Sequence, residues 1–158
     1  MSKSRRGLWF VLAALVIVLD QASKLWFDRH FSYGEVRPVI AGFFNWTLAY
    51  NPGAAFSFLA DAGGWQRHLF SALALVVAGW LGWAIWRGRQ SALMNLAGSL
   101  IIGGALGNLV DRVVYGHVID FIQLYYQQYY YPAFNVADSA IVVGAALMVW
   151  DGFKKDRA

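Results

Sequence analysis

The chain has 158 residues, 59% of them hydrophobic and 14% charged, and its mean hydropathy of +0.45 lies far from the balance of a soluble domain of this size. It has no cysteine, which excludes disulfides, thiolate nucleophiles and thiolate metal sites. The formal net charge of +4 is scattered at the ends of apolar runs with no aromatic-interleaved groove, so membrane topology explains it better than nucleic acid does.

Crossing a hydrocarbon core of about 30 Å takes roughly 20 helical residues. Four stretches are long enough: Leu8 to about Phe27, Leu69 to Trp86, Leu93 to about Val110, and about Ala133 to Trp150. The expectation is an all-α polytopic membrane protein with four transmembrane helices in one domain, residues 1–158. Lys3, Arg5 and Arg6 precede the first span, Arg87 and Arg89 follow the second, and Lys154, Lys155 and Arg157 follow the fourth. With four spans these clusters share one side, which the positive-inside tendency makes the cytoplasm. Both termini are then cytoplasmic, and segments of about 28–68 and 111–132 are extracytoplasmic. A basic start and an apolar run also describe a secretory signal peptide. Here Asp20-Gln21-Ala22-Ser23-Lys24 offers no A-x-A cleavage pattern, and apolar character resumes at Leu25-Trp26-Phe27, which favours a retained helix.

In the first span Asp20 and Lys24 stand four apart on one face. Either they form an ion pair whose lysine snorkels to the interface, with Trp26 as an aromatic anchor, or Asp20 also braces a site. The following segment is rich in aromatic and β-branched residues between Val39 and Phe58, broken by the turn signal Asn51-Pro52-Gly53. That pattern predicts a small extracytoplasmic β-hairpin or sheet between helices 1 and 2, leaning on lipid, on the helices or on a lipidated ligand. Asn51 has a bland reading as a turn former.

The second span carries no ionisable group, and its tryptophans gather toward the cytoplasmic end. The third is rich in small residues, including Gly103-x-x-x-Gly107, a spacing that lets helix backbones approach closely. At its outer end Asp111 and Arg112 form either a surface ion pair or the edge of a site, with Asn108 on the Arg112 face. Val118-Ile119-Asp120-Phe121-Ile122 then sets a carboxylate among apolar neighbours, and six of the eight tyrosines fall between Tyr115 and Tyr131, as suits a crossing at headgroup level. Asn135-Val136-Ala137-Asp138 has the form of a capping-box variant opening the fourth span.

Polar groups in so apolar a chain cost free energy unless paired, wet or used. Two carboxylates near one membrane face suggest an aspartyl hydrolase: a close pair cannot easily both ionise, so one takes a proton from water while the other polarises a carbonyl. Asp138 alone is also explained by the helix dipole, whereas Asp120 has no such local reason. His117 and Asp120, three apart, lack a further histidine to complete a metal site, and His30 and His68 read as interfacial residues. No metal or other cofactor is expected. A carrier or channel using the acidic residues as a proton or cation path is the alternative, and a non-catalytic adaptor a third reading. A carrier would spread its acidic groups through the bilayer depth, and the middles of spans two to four hold none.

Taken together, Asp20-Gln21-Ala22-Ser23-Lys24, Asn51-Pro52-Gly53-Ala54-Ala55-Phe56, Gly103 to Arg112 (GGALGNLVDR), Val118-Ile119-Asp120-Phe121 and Phe134-Asn135-Val136-Ala137-Asp138-Ser139 resemble, in order and spacing, the motif series of the bacterial lipoprotein (type II) signal peptidases. The resemblance covers nearly the whole chain and departs slightly at Pro52, a variable position. It implies cleavage of prolipoprotein signal peptides just before a diacylglyceryl-modified cysteine at the outer face of the cytoplasmic membrane. Membrane lipid is an expected partner, and a monomer is expected. It implies Asp120 and Asp138 as the catalytic dyad, Asn51, Gly53, Asn108, Arg112 and Asn135 as site-lining groups, and Asp20, Lys24 and Asp111 as supports. Within that frame Asp138, at a helix N-terminus, is expected to start as the base and Asp120, between Ile119 and Phe121, as the acid. Phe43, Phe44, Trp46 and Phe56 are expected to clamp the substrate's acyl chains and signal helix.

Overall fold

The computed structural model describes residues 3–53 and 64–155. The chain runs α1 (Lys3–His30), β1 (Val36–Ile40), β2 (Phe44–Asn51), α2 (Gln66–Arg87), α3 (Ala92–Val114), β3 (Val118–Tyr126), β4 (Tyr129–Tyr130) and α4 (Val136–Lys155). All four helices are long and apolar enough to cross a membrane. The third runs to Val114, so Asp111 and Arg112 lie in its last turns rather than in the connection that follows. Ala54-Ala55-Phe56 lies outside the described residues.

The third helix is the central post. Of its most apolar window 56% is inside the fold, against 22% or less for the other three, which present residues such as Val11, Leu15, Leu73, Val76, Trp80 and Val142 outward. That inversion suits a hydrocarbon surround. The small residues of α3 explain its place. A Cβ on Gly103 would lie 2.8 Å from the Ala13 carbonyl oxygen of α1, one on Gly104 would run into the Ala137 carbonyl oxygen of α4, and Gly144 of α4 meets Ala97 of α3 in the same way. Glycine thus lets three backbones approach to contact distance.

The strands form one antiparallel sheet in the order β1-β2-β3-β4. It therefore draws on both connections, α1–α2 and α3–α4. The interfacial crossing expected over 111–132 contains a nine-residue strand, for which Val118-Ile119-Asp120-Phe121-Ile122 was too short a run to signal. The hairpin also turns elsewhere than Asn51-Pro52-Gly53: the β1–β2 reversal is at residues 41–43, where Gly42 has φ 80°, and Asn51-Pro52-Gly53 ends β2.

The strand period of two divides β3 between two environments. Ile119 and Phe121 enter a core with Phe27, Phe31 and Leu48, Phe27 stacking on Phe121 at 4.3 Å. Val118 and Asp120 take the other face. Next to Asp120 the β2–β3 register slips between Trp46 and Ala49, so that Thr47 and Leu48 oppose a single β3 residue, a bulge of the kind that re-aims side chains. Beyond Tyr130 the chain returns to β3, Phe134 exchanging two backbone hydrogen bonds with Ile122 (3.0 and 2.9 Å). This return delivers Asn135 and the start of α4 beside Asp120.

Candidate active site

Asn135 caps α4: its Oδ1 accepts the Asp138 backbone N–H at 2.9 Å, satisfying one orphan donor of the first turn. Its Nδ2 donates to Asp120 Oδ1 at 2.7 Å. One amide therefore touches both residues of the expected dyad. The reciprocal arm of a capping box is replaced: the Asp138 carboxylate accepts from Asn108 Nδ2 on α3 at 2.7 Å. The second oxygen of Asp120 accepts from Asn51 Nδ2 at 3.3 Å, while Asn51 Oδ1 takes the Gly53 N–H at 3.0 Å. Asn51 is thus both a turn former and a site residue.

Asp120 is 2% exposed. Burial, and then the charge of Asp138, push its carboxyl up to about 8, against smaller opposing effects of the Asn51 and Asn135 hydrogen bonds and of Lys24. That shift favours the neutral carboxyl at Asp120. Ile119 and Phe121, expected to desolvate it as neighbours, face the opposite side of the strand, so the desolvation comes from the tertiary fold.

Around this pair the supporting residues depart from their simpler readings. Lys24 does not snorkel: it is 1% exposed, and its Nζ meets Asp20 Oδ2 at 2.8 Å, Asp111 Oδ2 at 2.9 Å and Asn108 Oδ1 at 2.8 Å. Asp111 forms no surface pair with Arg112; it points inward to Lys24, to Gln21 Nε2 at 2.7 Å and to the Ile119 N–H at 3.1 Å. Asp20 Oδ1 accepts the Ala137 N–H of α4 at 2.9 Å. Arg112 donates instead to the Gly53 carbonyl at 3.0 Å and lies over the Phe70 ring, 5.5 Å from its centroid.

Gln21 was not singled out by sequence reasoning. It donates to Asp111, to the Gly107 carbonyl at 3.1 Å and to Asp20 at 3.2 Å. Its signal was present in its place between Asp20 and Lys24 in an apolar helix. The histidines lie elsewhere: His30 Nδ1 is 2.7 Å from the Trp26 carbonyl oxygen, His68 contacts Arg67, and His117 packs on Tyr50 at 4.3 Å. Among the described residues no three His, Asp or Glu side chains are grouped to hold a metal ion.

Asp138, Asn108, Arg112 and Asn51 open on a cavity of about 740 Å³ that continues between α2, α3 and α4 over Leu73, Val77, Ile101 and Val143. Its aromatic walls are Phe70, Tyr131 and Phe134. Of the expected clamp, Trp46 packs instead against Phe27 and Phe44 at 4.9 and 4.6 Å, Phe43 is exposed, and Phe56 lies outside the described residues. The polar groups come from the sheet-bearing end of the bundle and the apolar ones from the helix bodies.

The comparison that decides the family covers most of the chain: residues 12–154 match the family model described as signal peptidase (SPase) II. The chain belongs to the signal peptidase II family. It is thus an aspartic-type peptidase of multi-pass membrane architecture. The lipoprotein signal peptidase of Chromobacterium violaceum is 69% identical over 148 residues, covering 93% of this chain and 91% of that protein. That of Neisseria gonorrhoeae is 52% identical over 150 residues, with coverages of 95% and 92%. Among solved structures, a bacterial membrane enzyme determined by the in meso method at 2.3 Å resolution superposes with a TM-score of 0.85 at 32% identity, covering 95% of this chain and 90% of that one. A second, at 1.9 Å resolution, gives 0.77 at 31% identity, with 92% of each chain covered. Lipoprotein processing in a bacterial inner membrane is consistent with these matches.

Proposed function

We propose that Asp120 and Asp138 are the catalytic dyad of this peptidase, and that it removes signal peptides from diacylglyceryl-modified prolipoproteins by hydrolysis just before the lipidated cysteine. The observation that carries this reading is that one buried amide, Asn135, hydrogen-bonds both the Asp120 carboxyl and the backbone N–H of Asp138, whose side chain lines the apolar cavity. Ionised Asp138, supported by the Asn108 amide and by the dipole of α4, takes a proton from water. The oxygen adds to the scissile carbonyl while protonated Asp120 donates to the carbonyl oxygen. Breakdown of the tetrahedral species passes the proton held by Asp138 to the leaving nitrogen and returns a hydroxyl proton to Asp120, giving a carboxylic acid, a free cysteine amine and the dyad in its starting state. Arg112 supports the site rim by holding the Gly53 carbonyl.

The positive-inside distribution of Lys and Arg supports cytoplasmic termini and a site at the extracytoplasmic face. A substrate anchored in the same bilayer then arrives by lateral diffusion, and a monomer suffices. The test is prolipoprotein processing in membranes carrying Asp120→Asn or Asp138→Asn in separate variants. Both are expected to accumulate unprocessed lipidated precursor; normal processing by either one overturns the dyad.

A further inference from the structure

Three asparagines face the dyad, and each is held in one orientation by a partner that can only donate. For Asn51 and Asn135 that partner is a backbone N–H, of Gly53 and of Asp138. For Asn108 it is the ammonium of Lys24, 2.8 Å from Oδ1. An ammonium has three donors and no acceptor, and the other two go to Asp20 and Asp111. Asn135 Nδ2 also lies 3.2 Å from Asn108 Oδ1. Flipping the Asn108 amide would set its NH2 group against the ammonium and its oxygen against the Asp138 carboxylate, two repulsive contacts in a buried site. Its nitrogen is thereby committed to Asp138 Oδ1.

We propose that Lys24 is a positioning residue for the reaction: through Asn108 it aims an amide donor at Asp138, and its buried positive charge keeps that carboxylate ionised to act as the base. This rests on the dyad reading. The charged groups facing this part of the site are Asp20 and Lys24 of α1, Asp111 and Arg112 of α3, and Asp120 of β3; α2 presents Phe70 to the cavity beside Asp138. Asp20 and Asp111 flank the ammonium and are further occupied by the Ala137 and Ile119 N–H groups. Lys24 is left with one neutral acceptor, the Asn108 oxygen, through which it acts on the dyad.

The test uses the full-length enzyme in lipid with a diacylglyceryl-modified precursor peptide, measuring kcat, KM and the pH dependence of kcat. In Lys24→Met, kcat is expected to fall about 100-fold with KM within about twofold, and the acidic limb to move up by about one pH unit as a positive neighbour is lost. Lys24→Gln offers Asn108 a neutral donor, so kcat should recover about tenfold over Lys24→Met while the acidic limb stays displaced. A folded Lys24→Met enzyme with wild-type kcat and acidic limb, or with a loss confined to KM, overturns the proposal. Because that variant strands two carboxylates, the same readings are taken on Lys24→Met/Asp111→Asn, in which Gln21 and the Ala137 N–H still serve Asp20. Failure of both to yield folded enzyme assigns Lys24 to folding alone and also overturns it. Activity in Asp138→Asn would remove the dyad reading itself, whereas a failure specific to Lys24 leaves Asp138→Asn inactive.

Discussion

The two ends of the helix bundle both bury polar side chains, and only one of them turns amide donors onto a pair of carboxylates beside a cavity. At the sheet-bearing end Asp20, Lys24, Asn108, Asp111, Asp120 and Asn135 are buried, drawn from α1, α3, β3 and the approach to α4. At the other end Asn95, Ser99 and Asp151 are buried too. There, however, Ser91 accepts the Met94 N–H as the cap of α3 and donates to Asp151 at 2.8 Å, and the Ser99 hydroxyl donates to the Asn95 carbonyl one turn back. Those bonds terminate and tie helices. The sheet-bearing cluster instead turns three amide donors onto two carboxylates and opens on the cavity. Burial of polar groups is common to both; convergence on a pair of acids beside a space for substrate is not.

The strongest way to break this comparison is to make the same change at both ends of α4. Asp138→Asn should lower kcat/KM by ~10³-fold or more, because a general base is lost, whereas Asp151→Asn, measured in the same assay, should leave it within about twofold. Next in size is Gly107→Ala. A Cβ there would lie 2.6 Å from Asp20 Oδ2 and would push Asp20 away from Lys24 and the Ala137 N–H, so kcat should fall by ~10-fold or more, with a melting temperature lower by several degrees.

The pH dependence sharpens the contrast further. Asp120 titrates near 8 in the fold against an ordinary 3.8, so the folded chain holds a proton that the unfolded chain releases. Its contribution to stability is complete below about pH 4 and is lost as pH rises through about 8. Melting in detergent should therefore fall between about pH 5 and pH 9, and Asp120→Asn should flatten that decline. Activity that needs the Asp120 proton should fall over the same alkaline limb. The smallest effect belongs to the far end: Ser91→Ala should cost about 1 kcal/mol of stability as a lost helix cap and leave the kcat–pH profile unchanged, as unfolding and rate measurements on one preparation would show.

Much of the molecule is legible without coordinates because it depends on local chemistry. Apolar runs long enough to span hydrocarbon mark four helices in any context, and Gly103-x-x-x-Gly107 marks a close helix contact. Neighbour-dependent readings fared less well. Asp20 and Lys24, four apart, do pair, but in the interior instead of at the interface, and Asp111, whose place beside Arg112 suggests a surface pair, turns inward to Lys24, because sequence shows adjacency but not which side of a helix is covered. The covering partners, Lys24 for Asp111 and Asn108 for Lys24, lie more than eighty residues away in the chain. The strand at Val118–Tyr126 was hidden among tyrosines suited to an interface, and its identity depends on pairing with β2.

Residue types and their order determined by themselves that this chain crosses a membrane, has no cysteine thiol to work with, and carries the motif series of an aspartic-type signal peptidase. Tertiary structure decided how its charges are used. Only the return of Phe134 to β3 brings Asn135 between Asp120 and Asp138, and only the glycine face of α3 lets α1 bring Lys24 under Asn108. The reason is physical: a carboxyl's proton affinity is set by its burial and by charges and donors within a few ångström, and those neighbours are assembled by folding from distant parts of the chain.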